Sequence, residues 1–275
     1  MENIKLIMIN EEKNMREIAV VVQNSNEQIT VQKTIEAIKN AGYRNVFIQW
    51  YDEDWVFSQE EQYELCKKLG LNIIFAHLGY QNINSLWENT AEGERLVERY
   101  KKNIKECKKR GISLVIMHLS TKKNPPIYNE LGLNRIRDIL EYAKGLGVKI
   151  ALENTRTRGY LEYVLDNIKD ENLGVCFDVG HYHTYYNDEF DFNIIKDRVF
   201  AVHLHDNDKT EDQHLVPLDG TLDWKYIIEK LKQTNYSGPV TLEFCYRYDY
   251  LNISVDEFYK KGLEIGNKLA EMFEE

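Results

Sequence analysis

Short apolar runs recur along the whole chain and alternate with longer segments in which apolar residues return every three or four positions. Runs of about four to six residues rich in Val, Ile and Phe are typical of strands buried on both faces, as in parallel sheets. They predict strands at 17–23, 46–50, 73–77, 113–118, 148–153, 173–178, 199–204 and 239–243. The other segments predict helices at 28–40, 59–69, 87–110, 133–145, 160–169, 192–197, 224–234 and 255–273.

This alternation predicts an α/β fold, a (β/α)8 TIM barrel. The 275 residues match the roughly 250 that such a barrel needs, so we expect a single domain over residues 1–275, with residues 1–15 as an N-terminal appendage. An open doubly wound sheet has the same alternation, but it would not bring eight consecutive strand ends together. Glycines at the expected helix ends should adopt positive φ, namely Gly42, Gly70, Gly111, Gly147, Gly174 and Gly238.

Most of the predicted strands end in residues that can bind a metal ion, namely His77, His118, Glu153, Asp178, His203 and Glu243. Because the C-terminal ends of parallel strands converge on one rim of a barrel, these side chains can together surround a divalent ion. A single strand-end carboxylate can instead cap a helix, and a lone histidine is more often a hydrogen-bonded core residue. Candidates on four consecutive strands favour a metal site, with its central ligands at Glu153, Asp178, His203 and Glu243.

Further candidates lie close to these residues in sequence. His181 follows Asp178 by three positions and His214 follows Asp212 by two, spacings at which neighbouring ligands could bridge two ions. His205 is one step out of phase with its neighbours, and we expect it to face the substrate or to support the ligands.

Composition narrows the class of protein. The net charge of -10 argues against broad electrostatic attraction to nucleic acid or to an anionic membrane. No apolar run approaches the roughly 20 residues of a membrane helix, and the N-terminal residues do not have the pattern of a signal peptide. The four cysteines form no CxxC pair. We therefore expect a cytoplasmic protein with reduced cysteines.

Five motifs resemble the xylose isomerase-like barrel superfamily, which contains sugar isomerases and epimerases together with abasic-site endonucleases of the endonuclease IV type. The motifs are ALENT (151–155), GVCFDVGH (174–181), VHLHDND (202–208), DQHLVPLDGTLDW (212–224) and VTLEF (240–244). The resemblance spans nearly the whole chain and identifies the superfamily without identifying one reaction.

The resemblance implies a divalent-metal-dependent isomerase or epimerase that acts on a small sugar, sugar phosphate or related polyol through an enediolate. In epimerases of this group the four central ligands bind one Mn, Co, Mg or Zn ion, and two glutamates exchange protons with the sugar. This match implies that Glu153 and Glu243 are the catalytic acid and base. In the endonucleases three zinc ions have nine ligands, with matches here at His77, His118, Glu153, Asp178, His181, His203, Asp212, His214 and Glu243.

A metal-dependent phosphoesterase of the endonuclease type, with up to three ions, is therefore the alternative. Against it, Asp52, Glu53 and Asp54 would repel phosphates where the endonucleases have a basic loop that enters DNA, so nucleic acid is not the expected partner. A sugar- or metal-binding protein without catalysis is a third alternative. Barrels of this superfamily often form homo-oligomers, although this sequence indicates no interface.

Residues around the predicted rim are candidates for binding the substrate. We expect arginines to bind a phosphate or carboxylate group, namely Arg156, Arg158 and Arg247. We expect aromatic rings to stack on the apolar faces of a sugar, namely Trp50, Trp55 and Tyr80.

Overall fold

The computed structural model describes residues 15–23, 29–51, 58–187 and 189–275. In these residues, eight parallel strands form one sheet in the order β7-β6-β5-β4-β3-β2-β1-β8, and the molecule is a single (β/α)8 barrel. Residues 1–14 of the predicted appendage, residue 28 of the first predicted helix and the segment 52–55 lie outside the described residues.

All eight predicted strands are confirmed. They are β1 Ile18–Val22, β2 Asn45–Trp50, β3 Asn72–Leu78, β4 Leu114–Met117, β5 Lys149–Glu153, β6 Leu173–Asp178, β7 Val199–His203 and β8 Val240–Leu242. Most neighbouring strands pair along a continuous ladder, but β7 and β8 are joined by one isolated bridge between Leu204 and Leu242. Beside this bridge, the amide of Leu204 donates to the carbonyl of Thr241 and the amide of Glu243 donates to the carbonyl of Leu204.

Helices follow the strands as predicted in all but one place. The helices are α1 Val31–Ala41, α2 Gln59–Lys68, α3 Ala91–Lys109, α4 Glu130–Gly145, α5 Tyr160–Asn167, α6 Val179–Tyr185, α7 Trp224–Lys232 and α8 Val255–Glu274. The prediction of a helix at 192–197 is wrong, because this segment has only a 3₁₀ turn at Phe192–Ile194. Instead α6 starts directly after β6, where the Asp178 side chain accepts a hydrogen bond from the amide of His181 and caps the helix.

Glycines end four helices as expected, with positive φ at Gly42, Gly70, Gly111 and Gly147. The expectation is wrong for Gly174 and Gly238, which do not have positive φ. Gly174 lies inside β6, and a Cβ atom there would lie 2.4 Å from the Phe200 ring. A close approach, and not a turn, therefore requires glycine at this position.

The barrel interior contains a small apolar cluster, which we call the floor, formed by Val21, Phe47, Phe75, Ile116, Ala151, Cys176 and Ala201. A larger apolar core surrounds the strands and packs them against the helices. Side chains alternate along a strand, so the residues two positions beyond the floor also face the interior. We call this second set the rim, which consists of Gln23, Gln49, His77, His118, Glu153, Asp178 and His203, together with Glu243 on the segment after β8. No helix in the described part of the chain is long and apolar enough to cross a membrane.

Candidate metal centre

Glu153, at the end of β5, lies at the centre of a group of imidazoles. Its Oε2 atom lies 3.1 Å from His77 Nε2 and 3.2 Å from His118 Nε2. Its Oε1 atom lies 3.0 Å from His181 Nδ1. The Glu153 side chain is only 1% exposed, so this carboxylate is surrounded by protein and not by water. The structure thus brings together residues from β3, β4, β5 and α6.

Asp178 and Glu243 belong to a neighbouring group. The Nε2 atom of His205 lies 3.1 Å from both carboxylate oxygens of Asp178. Glu243 Oε2 lies 3.2 Å from His203 Nδ1. Asp178, His205 and Glu243 can each supply one ligand atom within 4.8 Å of the others.

A third group combines α6 with the segment after β7. Asp212 Oδ2 lies 3.1 Å from His181 Nε2 and 3.4 Å from His214 Nε2. The rings of His205 and His214 stack with a centroid separation of 3.9 Å. All nine residues that the sequence predicts as ligands therefore lie at one end of the barrel, within a chain of short contacts.

These residues fit the donor set of a divalent ion. Four groups of three donors occur among the described residues, and carboxylate oxygens and imidazole nitrogens are the ligands that Zn, Mn and Co commonly have. Some buried nitrogen and oxygen atoms of these residues have no hydrogen-bond partner, including His205 Nδ1 and Asp212 Oδ1. Because buried polar atoms are nearly always paired, such atoms are expected where an ion or a water molecule completes the site.

The electrostatics of the site pair ionised carboxylates with imidazoles. Burial opposes ionisation of Glu153, yet the nearby charges of His118 and His203 hold its pKa well below its usual range. Burial also opposes ionisation of Asp212, but His214 and His181 hold the pKa of this carboxyl well below its usual range. Burial lowers the pKa of His118, whereas burial is outweighed by nearby carboxylates at His181 and His214, whose pKa values are raised well above the usual range. An ion that binds these two imidazoles must therefore displace a proton from each, while the ionised Glu153 and Asp212 are suited to act as ligands.

His203 and His205 have different surroundings. The His203 ring lies on the floor, with its centroid 5.3 Å from that of Phe47 and 6.0 Å from that of Phe75, and it forms a donor group with His77 and Glu153. His205 instead belongs to the donor groups of Asp178 and Glu243 and of Asp212 and His214. The structure therefore places both imidazoles in the cluster, and His205 is a ligand candidate that the sequence analysis assigned to the substrate. The expectation that His205 is out of phase is wrong, because it stands two positions after His203 and therefore points the same way.

The aromatic candidates have different outcomes. Tyr80 lines a small cavity beside the candidate ligands, and its ring stacks on that of His118 with a centroid separation of 4.4 Å. Trp50 is only 1% exposed, and its ring lies 5.0 Å from the guanidinium of Arg110. Its strand neighbour Gln49 lines the cavity, so Trp50 points to the opposite side of the strand. The prediction that Trp50 contacts the substrate is therefore wrong.

The three arginines are not among the described residues that line the cavity. Arg156 is exposed and lies over the Tyr185 ring at 4.8 Å. Arg158 lies over Tyr186 and donates to the carbonyl of Glu189.

Arg247 donates to the backbone carbonyls of Asp212 and Gln213, at 3.3 and 3.2 Å. This contact supports the segment that carries Asp212, in place of the predicted contact with substrate.

Asp206 organises the same segment. Its buried carboxylate accepts hydrogen bonds from the amides of Asn207 and Leu222 on Oδ1, and from the amide of Leu218 and the Trp224 indole on Oδ2. A Cβ atom at Gly220 would lie 2.2 Å from Asp206 Oδ1, so glycine is needed for this approach. One buried carboxylate thus fixes the loop that carries two ligand candidates, Asp212 and His214.

Sequence reasoning did not single out three residues that line the cavity, Gln23, Gln49 and Tyr51. The cavity has a volume of about 90 Å³ and is also lined by His77, Tyr80, His118, Glu153, His181, Asp212, His214 and Glu243. Gln23 and Gln49 stand two positions beyond the floor residues Val21 and Phe47, but the apolar runs of β1 and β2 do not show which of their residues face the interior.

Comparisons with known proteins agree with this architecture. A family model described as "Xylose isomerase-like TIM barrel" matches residues 35–269. An uncharacterized protein of Methanocaldococcus jannaschii is 36% identical over 148 residues, 50% of each chain. An inosose isomerase of Halalkalibacterium halodurans is 25% identical over 142 residues, 46% of this chain and 50% of the relative. The match thus spans about half the length of these curated relatives.

Solved structures resemble the whole barrel. A D-tagatose 3-epimerase-like protein has a TM-score of 0.68 at 23% identity, covering 92% of this chain and 98% of the other. A D-allulose 3-epimerase from Methylomonas sp., solved with D-allulose, has a TM-score of 0.71 at 19% identity, covering 92% and 97%. The IOLI protein, solved with a zinc atom, has a TM-score of 0.72 at 16% identity, covering 94% and 99%. At these identities the likeness establishes the fold alone.

Proposed function

The chain belongs to the xylose isomerase-like TIM barrel family, and we propose that it is a divalent-metal-dependent isomerase or epimerase of a small sugar or related polyol. The relative named as an inosose isomerase and the structural neighbours named as 3-epimerases of ketoses support this class of substrate. The observation that carries the proposal is the meeting of two buried glutamates, Glu153 and Glu243, with imidazoles around one small cavity, in donor groups that also contain Asp178.

We assign the central ligands to Glu153, Asp178, His203 and Glu243, with His205 as a further candidate. The Nδ1 atom of His203 lies 3.2 Å from Glu243 Oε2, 3.5 Å from Glu153 Oε2 and 3.7 Å from Asp178 Oδ2. A divalent ion bound there would polarise the carbonyl of a ketose and stabilise negative charge on its oxygen. The other predicted ligands surround this set at His77, His118, His181, Asp212 and His214.

The two glutamates are suited to move protons. Both approach the same imidazole, because His203 Nδ1 lies 3.5 Å from Glu153 Oε2 and 3.2 Å from Glu243 Oε2. One carboxylate removes the proton from the carbon beside the carbonyl, which leaves an enediolate. The other carboxylic acid returns a proton to the opposite face or to the neighbouring carbon. Glu153 and Glu243 are 1% and 5% exposed, so water has little access to the reacting carbons.

A second candidate function is phosphoester hydrolysis. It is favoured by the assembly of nine potential ligands, because His181, Asp212 and His214 extend the donor set beyond the needs of a single ion. Several ions in one site typically activate water and stabilise a leaving oxygen. A phosphorylated substrate could also meet the exposed Arg156 near the mouth.

Solvent proton exchange tests the main proposal. The protein is purified without chelator, its metal content is measured by mass spectrometry, and it is incubated with ketohexoses and inososes in deuterated water. We expect deuterium at the carbon beside the carbonyl and formation of an epimer or isomer, both abolished by EDTA and by Glu243→Gln. Absence of exchange across the panel, with two to three zinc ions per chain and cleavage of phosphoesters, would instead establish the second function.

A further inference from the structure

The rim has a charged part and a neutral part. The C-terminal ends of β3 to β8 and the residues after them supply carboxylates and imidazoles, whereas the ends of β1 and β2 present Gln23 and Gln49. These two strands are neighbours, with Val21 paired to Phe47 and Val22 to Ile48. Gln49 is in register with His77 on β3. The two amides therefore form one continuous side of the cavity, beside the potential ligands.

Gln23 has an unsatisfied polar atom. Its Oε1 atom is buried without a hydrogen-bond partner, although it lines a cavity rich in donors and acceptors. A ligand or a water molecule in the cavity would complete the hydrogen bonding of this amide.

The chemistry of the two amides indicates what that partner is. A glutamine amide both donates and accepts, as a hydroxyl group does, whereas an ionised phosphate mainly accepts. No lysine or arginine is among the described residues that line the cavity, although these side chains usually bind phosphate. The cavity volume of about 90 Å³ equals that of about three water molecules, which suits a short hydroxylated carbon segment.

We propose that Gln23 and Gln49 are specificity residues that bind hydroxyl groups of an unphosphorylated polyhydroxylated substrate at the end that enters the cavity. This inference rests on the proposed function and deepens it, because it assigns the substrate-binding side of the site to β1 and β2. The ligands on the other strands hold the reacting atoms, and the amides select and orient the hydroxylated carbons beside them.

Gln23→Met and Gln49→Met test the inference, because methionine keeps the length of the side chain and removes the amide. Gln62→Met is the matched control, since Gln62 lies on α2 and its buried Oε1 also has no partner, but it does not line the cavity. Calorimetry measures the affinity of the metal-loaded proteins for inositol and xylitol and for their phosphates. Metal content, KM and kcat are measured in parallel on any sugar that the wild type converts.

We expect each cavity variant to weaken polyol binding and to raise KM by about tenfold, with metal content unchanged and kcat altered much less than KM. Gln62→Met should match the wild type. Unchanged affinity in both cavity variants, or tighter binding of the phosphorylated polyols by the wild type, would overturn the inference.

The two proposals can fail separately. Amide-dependent polyol binding without proton exchange on any sugar would keep the inference and remove the isomerase proposal. Proton exchange with unchanged KM in the cavity variants would do the reverse. A wild type that neither binds polyols nor exchanges protons would remove both.

Discussion

The floor and the rim of the barrel interior lie on the same strands and face the same way, yet their chemistry is opposite. They are separated by two residues, about 7 Å along a strand. The floor packs Phe47 and Phe75 against small side chains, and such packing stabilises the fold. The rim buries Glu153 and Asp178, whose desolvation is unfavourable unless each finds a partner. Two residues along a strand therefore separate the part that stabilises the barrel from the part to which we assign the chemistry.

Glu243→Gln should give the largest functional effect. Loss of one proton-transferring carboxylate should lower kcat by about 10²–10⁴-fold, as measured by deuterium exchange. The melting temperature should fall, because the change leaves the buried His203 imidazole, 3.2 Å from Glu243 Oε2, without this carboxylate partner. A variant that retains the wild-type rate would refute the role of Glu243 in proton transfer.

Phe47→Ala should lower the stability of the protein and leave its metal content almost unchanged. Removing a buried aromatic ring from the floor should lower the free energy of unfolding by about 3–5 kcal/mol, as measured by urea denaturation. Metal content of the protein that remains folded should be close to that of the wild type. If this variant unfolds at the wild-type urea concentration, the floor does not have the stabilising role assigned to it.

The variants His205→Ala and His203→Ala test which of the two imidazoles is the main metal ligand. Because His203 Nδ1 approaches all three central carboxylates whereas His205 contacts one of them at 3.1 Å, we expect His203→Ala to weaken metal binding more, by about 100-fold against about tenfold. Titration of the metal-free variants with zinc measures both affinities. The reverse order would make His205 the main ligand.

Trp50→Phe should have the smallest effect on catalysis. Trp50 faces the helices and not the cavity, so KM and kcat should remain within about twofold of the wild type, with a modest loss of stability from the smaller ring. A large rise in KM would show that Trp50 contacts the substrate after all.

The strands and the ring of candidate ligands were predictable, because short apolar segments and the residues that end them are both visible in the local sequence. The sequence NVFIQW does not show which of its residues face the barrel interior. Phe47 and Ile48 lie on opposite faces of this strand, yet both are buried. A strand covered on both faces has no polar alternation, so the sequence did not distinguish Gln49 from Trp50.

Other misses arise from contacts between distant residues. The apolar pattern does not indicate α6, because one side of this short helix carries His181 into the metal centre. Arg247 contacts backbone carbonyls near Asp212, and no local pattern records the partner of a long side chain. Such tertiary contacts decide whether a charged residue at the rim meets a substrate or the protein itself.

The single bridge between β7 and β8 has a consequence for the choice of ion. His205 and Glu243 lie on either side of this junction, so the backbone fixes their separation less firmly than in the laddered pairs. Divalent ions differ in size, with bonds of about 2.0–2.1 Å for magnesium and 2.3–2.6 Å for calcium. For the metal site that we propose, this junction would let the separation of the two side chains follow the radius of the ion, so tolerance for several metals would depend on the backbone as well as on the ligands.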